Sequence, residues 1–201
     1  DPAAQMRVEA TGVKAWVAQA EVSMGRYRQW LAKPFEDWGY GQSITPNCGL
    51  ILSAHRLYVA EGFAQDVDAG VARLESDLTA WRTVLGQAKT LSVKMLASTA
   101  MNDDVRVVGG LLLRPELDER FVSRLAKLAR PLEQAEQSVR WPMQSQFVLA
   151  TKTLEETMSE GGGEDRPLYG SLLAALPLPK QRRFNAYAQY YEAAGKAAGE
   201  G

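Results

Sequence analysis

From Val71 onward apolar side chains fall at Leu74, Leu78, Trp81, Leu85 and Ala88, alternating steps of three and four that place them on one stripe of an α-helix. Asp68, just ahead of that stripe, is the expected N-cap, because a carboxylate there accepts a bond from a backbone N–H that the first turn leaves unpaired. Residues 50–64 are also amphipathic, and the connection at residues 62–66 is too short for anything but antiparallel neighbours. Residues 50–101 therefore predict a helical hairpin and its continuation.

The flanks keep the helical period with interruptions. Asp1 and Pro2 read as N-cap and first position of an opening helix, since proline lacks only an N–H that would be unpaired there. Val13, Trp16, Ala20, Met24, Tyr27 and Leu31 continue it, with a bend expected near Gly25 and a stop at Pro34. Residues 34–49 lose all periodicity, and Phe35, Trp38 and Tyr40 in that stretch suit either a hydrophobic plug over a bundle end or a recognition loop. Asn102, Asp103 and Asp104 offer a fresh N-cap for a short helix to Leu113, weakened by Gly109 and Gly110. Leu117, Phe121, Leu125 and Leu128 predict another helix, and a last long pattern through Phe147 and Leu154 is expected to divide at Pro142.

Residues 159–167 are polar and glycine-rich and read as a flexible linker. Beyond them a short helix is expected over residues 168–176, and Phe184, Tyr187 and Tyr191 line one side of a final helix. No segment alternates as a strand does. The expected fold is all-α, an irregular helical bundle or helix-hairpin array of about seven to nine helices with no sheet. Residues 1–158 would form the main domain, with 168–201 packing back on it.

Composition narrows the partners. With 46% apolar and 23% charged residues in a chain of 201, a sizeable core is affordable without disulfides or metal. A net charge of −1 argues against a nucleic-acid partner or an anionic membrane surface. Cys48 is the only cysteine, so no internal disulfide forms. No run of eighteen apolar residues is present to span a bilayer. The opening residues Asp1 to Ala4 resemble neither a signal peptide nor an initiator, which leads us to expect a processed chain with any export signal or anchor upstream.

Candidate chemistry is sparse. His55, the only histidine, follows Cys48 by seven residues, so a thiol–imidazole pair is one reading, and a capped thiol with a hydrogen-bonded core histidine is the other. There is no His-x-x-x-His, no Glu-x-x-His and no second cysteine, and the adjacent pairs Asp103–Asp104, Glu155–Glu156 and Glu164–Asp165 read as caps and solvated faces. Phosphate loops and serine elbows are absent. Hence no catalytic residue, metal or cofactor is expected. Arg120, Arg124 and Lys127 read as a salt-bridged face, and Lys180, Arg182 and Arg183 as a docking site. Lys94, crowded by Leu91, Val93, Met95 and Leu96, is expected to bury its stem and either snorkel or pair with a carboxylate.

Ser53 to Leu57 (SAHRL), Leu74 to Leu78 (LESDL) with Trp81-Arg82, and Thr90 to Met95 (TLSVKM) resemble a group of uncharacterised proteobacterial envelope proteins. Ala15 to Ala18, Tyr27 to Leu31 and Phe184 to Ala188 fit the same pattern. The resemblance implies an N-terminal membrane anchor and a periplasmic domain, and it carries no activity. Tyr58, Gly62, Ala69 and Leu78 are similar to a tetratricopeptide-like helix pair, but the repeat period does not recur. The expected function is a non-enzymatic periplasmic domain that binds another protein or a peptide through Phe35, Trp38, Tyr40, His55, Tyr58, Tyr187 and Tyr191. A hydrolase or lipid-handling protein with a pocket between helices, and an immunity or inhibitor protein, are the alternatives. A polar cavity holding His55 and two carboxylates would favour the hydrolase.

Overall fold

The computed structural model describes residues 1–41, 47–115, 117–159 and 180–199. Three short helices, α1 (Pro2–Val8), α2 (Ala10–Gln19) and α3 (Glu21–Leu31), run on from one another with single-residue breaks at Glu9 and Ala20. Asp1 caps α1 as expected, its Oδ1 accepting from Ala3 N at 3.0 Å with Pro2 beside it. The interruptions fall at Glu9 and Ala20 rather than at Gly25, which lies within α3.

The hairpin is α4 (Cys48–Gln65) and α5 (Val67–Gln87), joined by Asp66 alone. Asp66, not Asp68, is the N-cap of α5, accepting from Ala69 N at 2.7 Å, and Asp68 falls in the first turn. So tight a reversal forces the two backbones together. A Cβ at Gly62 would lie 2.9 Å from Ala69 O, and one at Gly70 would enter the Phe63 ring, so this crossing requires glycine on both helices. The expected stripe is the core of the molecule: Leu74, Leu78, Trp81 and Leu85 are all buried. Each such side chain contributes about 1.5–3 kcal/mol of transfer free energy.

The third long helix, α6 (Leu91–Leu112), corrects the expectation of a new start after Asn102. It runs unbroken through Asp103 and Asp104, because both carboxylates bond to neighbouring helices rather than to their own backbone. Gly110 serves a close approach as well: a Cβ there would lie 2.7 Å from Pro2 Cδ, and Arg114 pairs with Asp1 beside it, so α1 rests directly on the end of α6.

Then follow α7 (Glu119–Leu128), α8 (Gln134–Gln137), α9 (Arg140–Ser159) and α10 (Lys180–Gly199). Pro142 does not divide α9, for it occupies the first turn, where its missing N–H has no intrahelical partner to lose. α10 packs along α9, with Tyr191 edge-on to Phe147 at 6.1 Å. The linker at 159–167 and the short helix at 168–176 lie almost wholly outside the described residues. Among the described residues there is no strand, and none of the helices is long and apolar enough to cross a membrane. The fold is an all-α helical bundle, as expected.

Candidate functional site

Two apolar clusters make up the core. Ala54, Leu78, Trp81 and Met101 belong to one, and Val59, Leu74, Val107 and Leu111 to the other. Between them, at the same level of α4, α5 and α6, stand His55, Asp77 and Asp104, each no more than 1% exposed. Polar side chains at this depth need partners, and these have each other.

Asp77 is the hub. Its Oδ1 accepts from the Tyr27 hydroxyl of α3 at 2.5 Å, and its Oδ2 lies 2.6 Å from His55 Nδ1. A carboxylate is acceptor-only when ionised, so the imidazole presents Nδ1–H to it. Trp81 Nε1 donates to the Tyr27 oxygen at 2.9 Å, and the His55 ring meets Trp81 edge-on at 6.0 Å. Burial, reinforced by the Asp77 charge, pushes the Tyr27 hydroxyl far up from its ordinary value. Asp104 is pushed up to about 10, first by burial and then by the charge of Asp77, the hydrogen bond to it, and the charge of Asp103. No N–H or O–H of the described residues reaches Asp104 Oδ2. The hydrogen bond between the two carboxyl groups needs a proton, which Asp104 carries. Tyr27, His55 and Asp104 thus converge on one negative charge.

His55 and Asp104 of this cluster form the floor of a half-open groove of about 390 Å³. Its walls are Pro2, Met6, Val13 and Trp16 from α1 and α2, Val59 and Ala60 from α4, and Val107 from α6. Glu9, Arg56, Asp103 and Arg106 also line it, with Arg56 Nε paired to Asp103 at 2.7 Å. Among the described residues no Ser, Thr, Cys or Lys lines it. Cys48 stands two turns before His55 on the same helix, about 10 Å along the axis, and is not among the residues lining the groove.

The seven residues expected to bind do not converge. His55 alone lines this groove. Tyr58 lies half-buried behind it, 5.8 Å from the Tyr27 ring and under the Arg73 guanidinium. Phe35 packs on the first apolar cluster and lines a second depression with Trp30 and Pro34. Trp38 is 69% exposed, and its indole N–H donates to neighbouring Glu36. Tyr40 donates to Gln146 of α9 at 2.8 Å, and Tyr187 and Tyr191 stack on α10, so these three belong to the α9–α10 face. Asp104, expected on a solvated face, is a core residue, and Asp77, Tyr27 and Trp81 carry the site without having been singled out for it.

A second buried network ties the far end of the hairpin. Arg82 holds Glu136 through two bonds of 2.8 Å, and Arg130 adds two longer ones. Lys94 neither snorkels nor pairs with a carboxylate oxygen: its ammonium donates to the carbonyls of Leu85 and Glu136 at 2.6 and 2.7 Å, closing the C-terminal turns of α5 and α8. Burial lowers the Lys94 ammonium pKa, and the Glu136 charge opposes this. No protein-family model, curated protein or solved structure matches the chain.

Proposed function

We propose that the domain is a non-enzymatic binding module of the bacterial envelope that receives an apolar segment of a peptide or protein in the groove between α1–α2, α4 and α6. The observation that carries this reading is the groove itself: apolar walls over a pre-formed polar floor, the combination by which binding sites gain affinity from burial and orientation from a few fixed polar groups. Its volume suits a few side chains, not a whole helix. The envelope location and an N-terminal tether rest on the resemblance of the SAHRL, LESDL and TLSVKM segments. The partner's apolar side chains would lie on Met6, Val13 and Val59, and its polar groups would meet the rim charges of Glu9 and Arg106.

A hydrolase is the second reading, favoured by one observation: the cavity is lined by His55 and Asp104, and Asp77 is hydrogen-bonded to both. The lining offers no side-chain hydroxyl, thiol or amine nucleophile, so the binding reading stands first.

Ala60 lies half-buried in the groove wall, and Ala60→Trp fills the groove from α4. Peptides selected from a displayed library on the immobilised wild-type domain should bind in solution by fluorescence anisotropy and lose at least about tenfold, or ~1.4 kcal/mol, against the filled variant. Peptides that bind both proteins equally place the site elsewhere, and a library that yields no saturable binder removes the proposal.

A further inference from the structure

We propose that His55, Asp77 and Asp104 bind one divalent transition-metal ion of the zinc class, which enters through the groove. Three helices contribute one residue each, and one ligand atom from each lies within 4.8 Å of the other two. One imidazole nitrogen with two carboxylate oxygens suits zinc, cobalt, manganese or ferrous iron, whereas calcium and magnesium favour all-oxygen sets. At zinc bond lengths of 2.0–2.2 Å, ligands at tetrahedral corners stand about 3.4 Å apart. The His55–Asp77 contact, now 2.6 Å, would open by under about 1 Å, and the widest separation would close by a little more. Side-chain rotations on fixed helices supply movements of that size.

The second, independent observation is Asp104 Oδ2, a carboxyl oxygen in a residue 1% exposed, which no donor among the described residues reaches. Asp104 and His55 both line the groove, so the unpartnered group sits on the route by which an ion arrives. Tyr27, bonded to the remaining oxygen of Asp77 at 2.5 Å and itself held by Trp81, orients that ligand from behind. A fourth coordination position opens toward the groove for water or an oxygen of the occupant. The inference uses the groove as a route and does not depend on the peptide reading.

The test uses the full chain without a histidine tag, chelator-treated, with zinc alone as the probe and no peptide. Calorimetry should show about one ion per chain, and Asp104→Asn, close to isosteric, should weaken it at least about tenfold. Because His55 is the only histidine, the imidazole nitrogen resonances of the wild-type protein report coordination directly, so the result does not hang on a variant that fails to fold. Zinc that saturates the protein and shifts those resonances, together with a weakened Asp104→Asn, supports the site. No saturable binding at millimolar zinc, unmoved imidazole signals, or undiminished affinity in Asp104→Asn overturns it. Peptide binding measured in chelator is unaffected by any of these results, so the two proposals fail separately.

Discussion

Glu136→Gln tests whether the ionic network at the far end of the hairpin holds the fold together. Glu136 is 5% exposed and accepts two bonds of 2.8 Å from Arg82, whose side chain is itself 9% exposed. It also caps its own helix by accepting from Glu133 N at 2.6 Å. Glutamine keeps the volume and one acceptor but removes the charge and turns an amide against the guanidinium, leaving a buried cation without its counter-charge. Breaking a buried pair in this way costs about 3–5 kcal/mol. Arg130, 40% exposed, adds little because solvent screens it. We expect a loss near ~3 kcal/mol at pH 7, and about 2–4 °C in Tm for each kcal/mol in a chain of this size. The pH dependence fixes the cause. Burial raises the Glu136 pKa, but the Glu133 N–H and the two arginines outweigh it, so the folded-state value is lowered. A depressed carboxylate gives stability that is present above the unfolded value, about 4.3, and lost as pH falls through the folded value. Urea unfolding of wild type and variant, followed by circular dichroism at pH 7 and near pH 3, should show a gap that narrows in acid. A gap below ~1 kcal/mol at pH 7, or one equal at both pH values, refutes the reasoning.

The remaining predictions concern packing and the site. Gly70→Ala drives a methyl into the Phe63 ring at the hairpin crossing, so thermal unfolding should register a loss of about 1–3 kcal/mol, and Phe63→Leu in the same chain should recover part of it. Asp104→Asn replaces an acid that must stay protonated with an amide that donates to Asp77 unconditionally, so the metal-free variant should unfold about 2–4 °C above wild type at pH 7. Trp38→Ala, at a side chain 69% exposed and bonded to its neighbour Glu36, should change stability by less than ~0.5 kcal/mol in the same assay.

Periodicity carried the fold a long way because it reads burial directly. The Leu74, Leu78, Trp81 and Leu85 stripe needed only the spacing of apolar residues, and tertiary packing had no reason to override it. Errors came where local chemistry has two uses. An aspartate ahead of an apolar run is a cap or a first-turn residue, and Asp66 and Asp68 differ by only two positions. A proline after a helical pattern is a break or a first turn, and Pro142 is the second because the irregular segment before α9 ends at Val139. Gly110 reads as a weak point by helix propensity, yet it lies, like Gly62 and Gly70, inside a helix that needs it for a close approach, and helix propensity does not report such a contact.

The site was hidden for a related reason, though its signal was present. Asp104 falls four residues before Val108, seven before Leu111 and three after Met101, which is a core-facing position on the stripe of α6. Asp77 lies between Leu74 and Leu78 on the stripe of α5 in the same way. Read as a pair, Asp103–Asp104 suggests a cap; read at helical period, its second member is a carboxylate in a hydrophobic row, which must find a partner or a proton. His55 holds the matching place on α4, between Ala54 and Val59. Three polar residues at core positions of three adjacent helices can satisfy one another only if they sit at one level. That requirement also sets the register of α4, α5 and α6 against each other, since sliding any helix by one turn would pair His55, Asp77 or Asp104 with a leucine or valine. The same polar layer therefore fixes the packing and supplies the floor of the groove, and a ligand or ion reaching it meets groups already held in place by the fold.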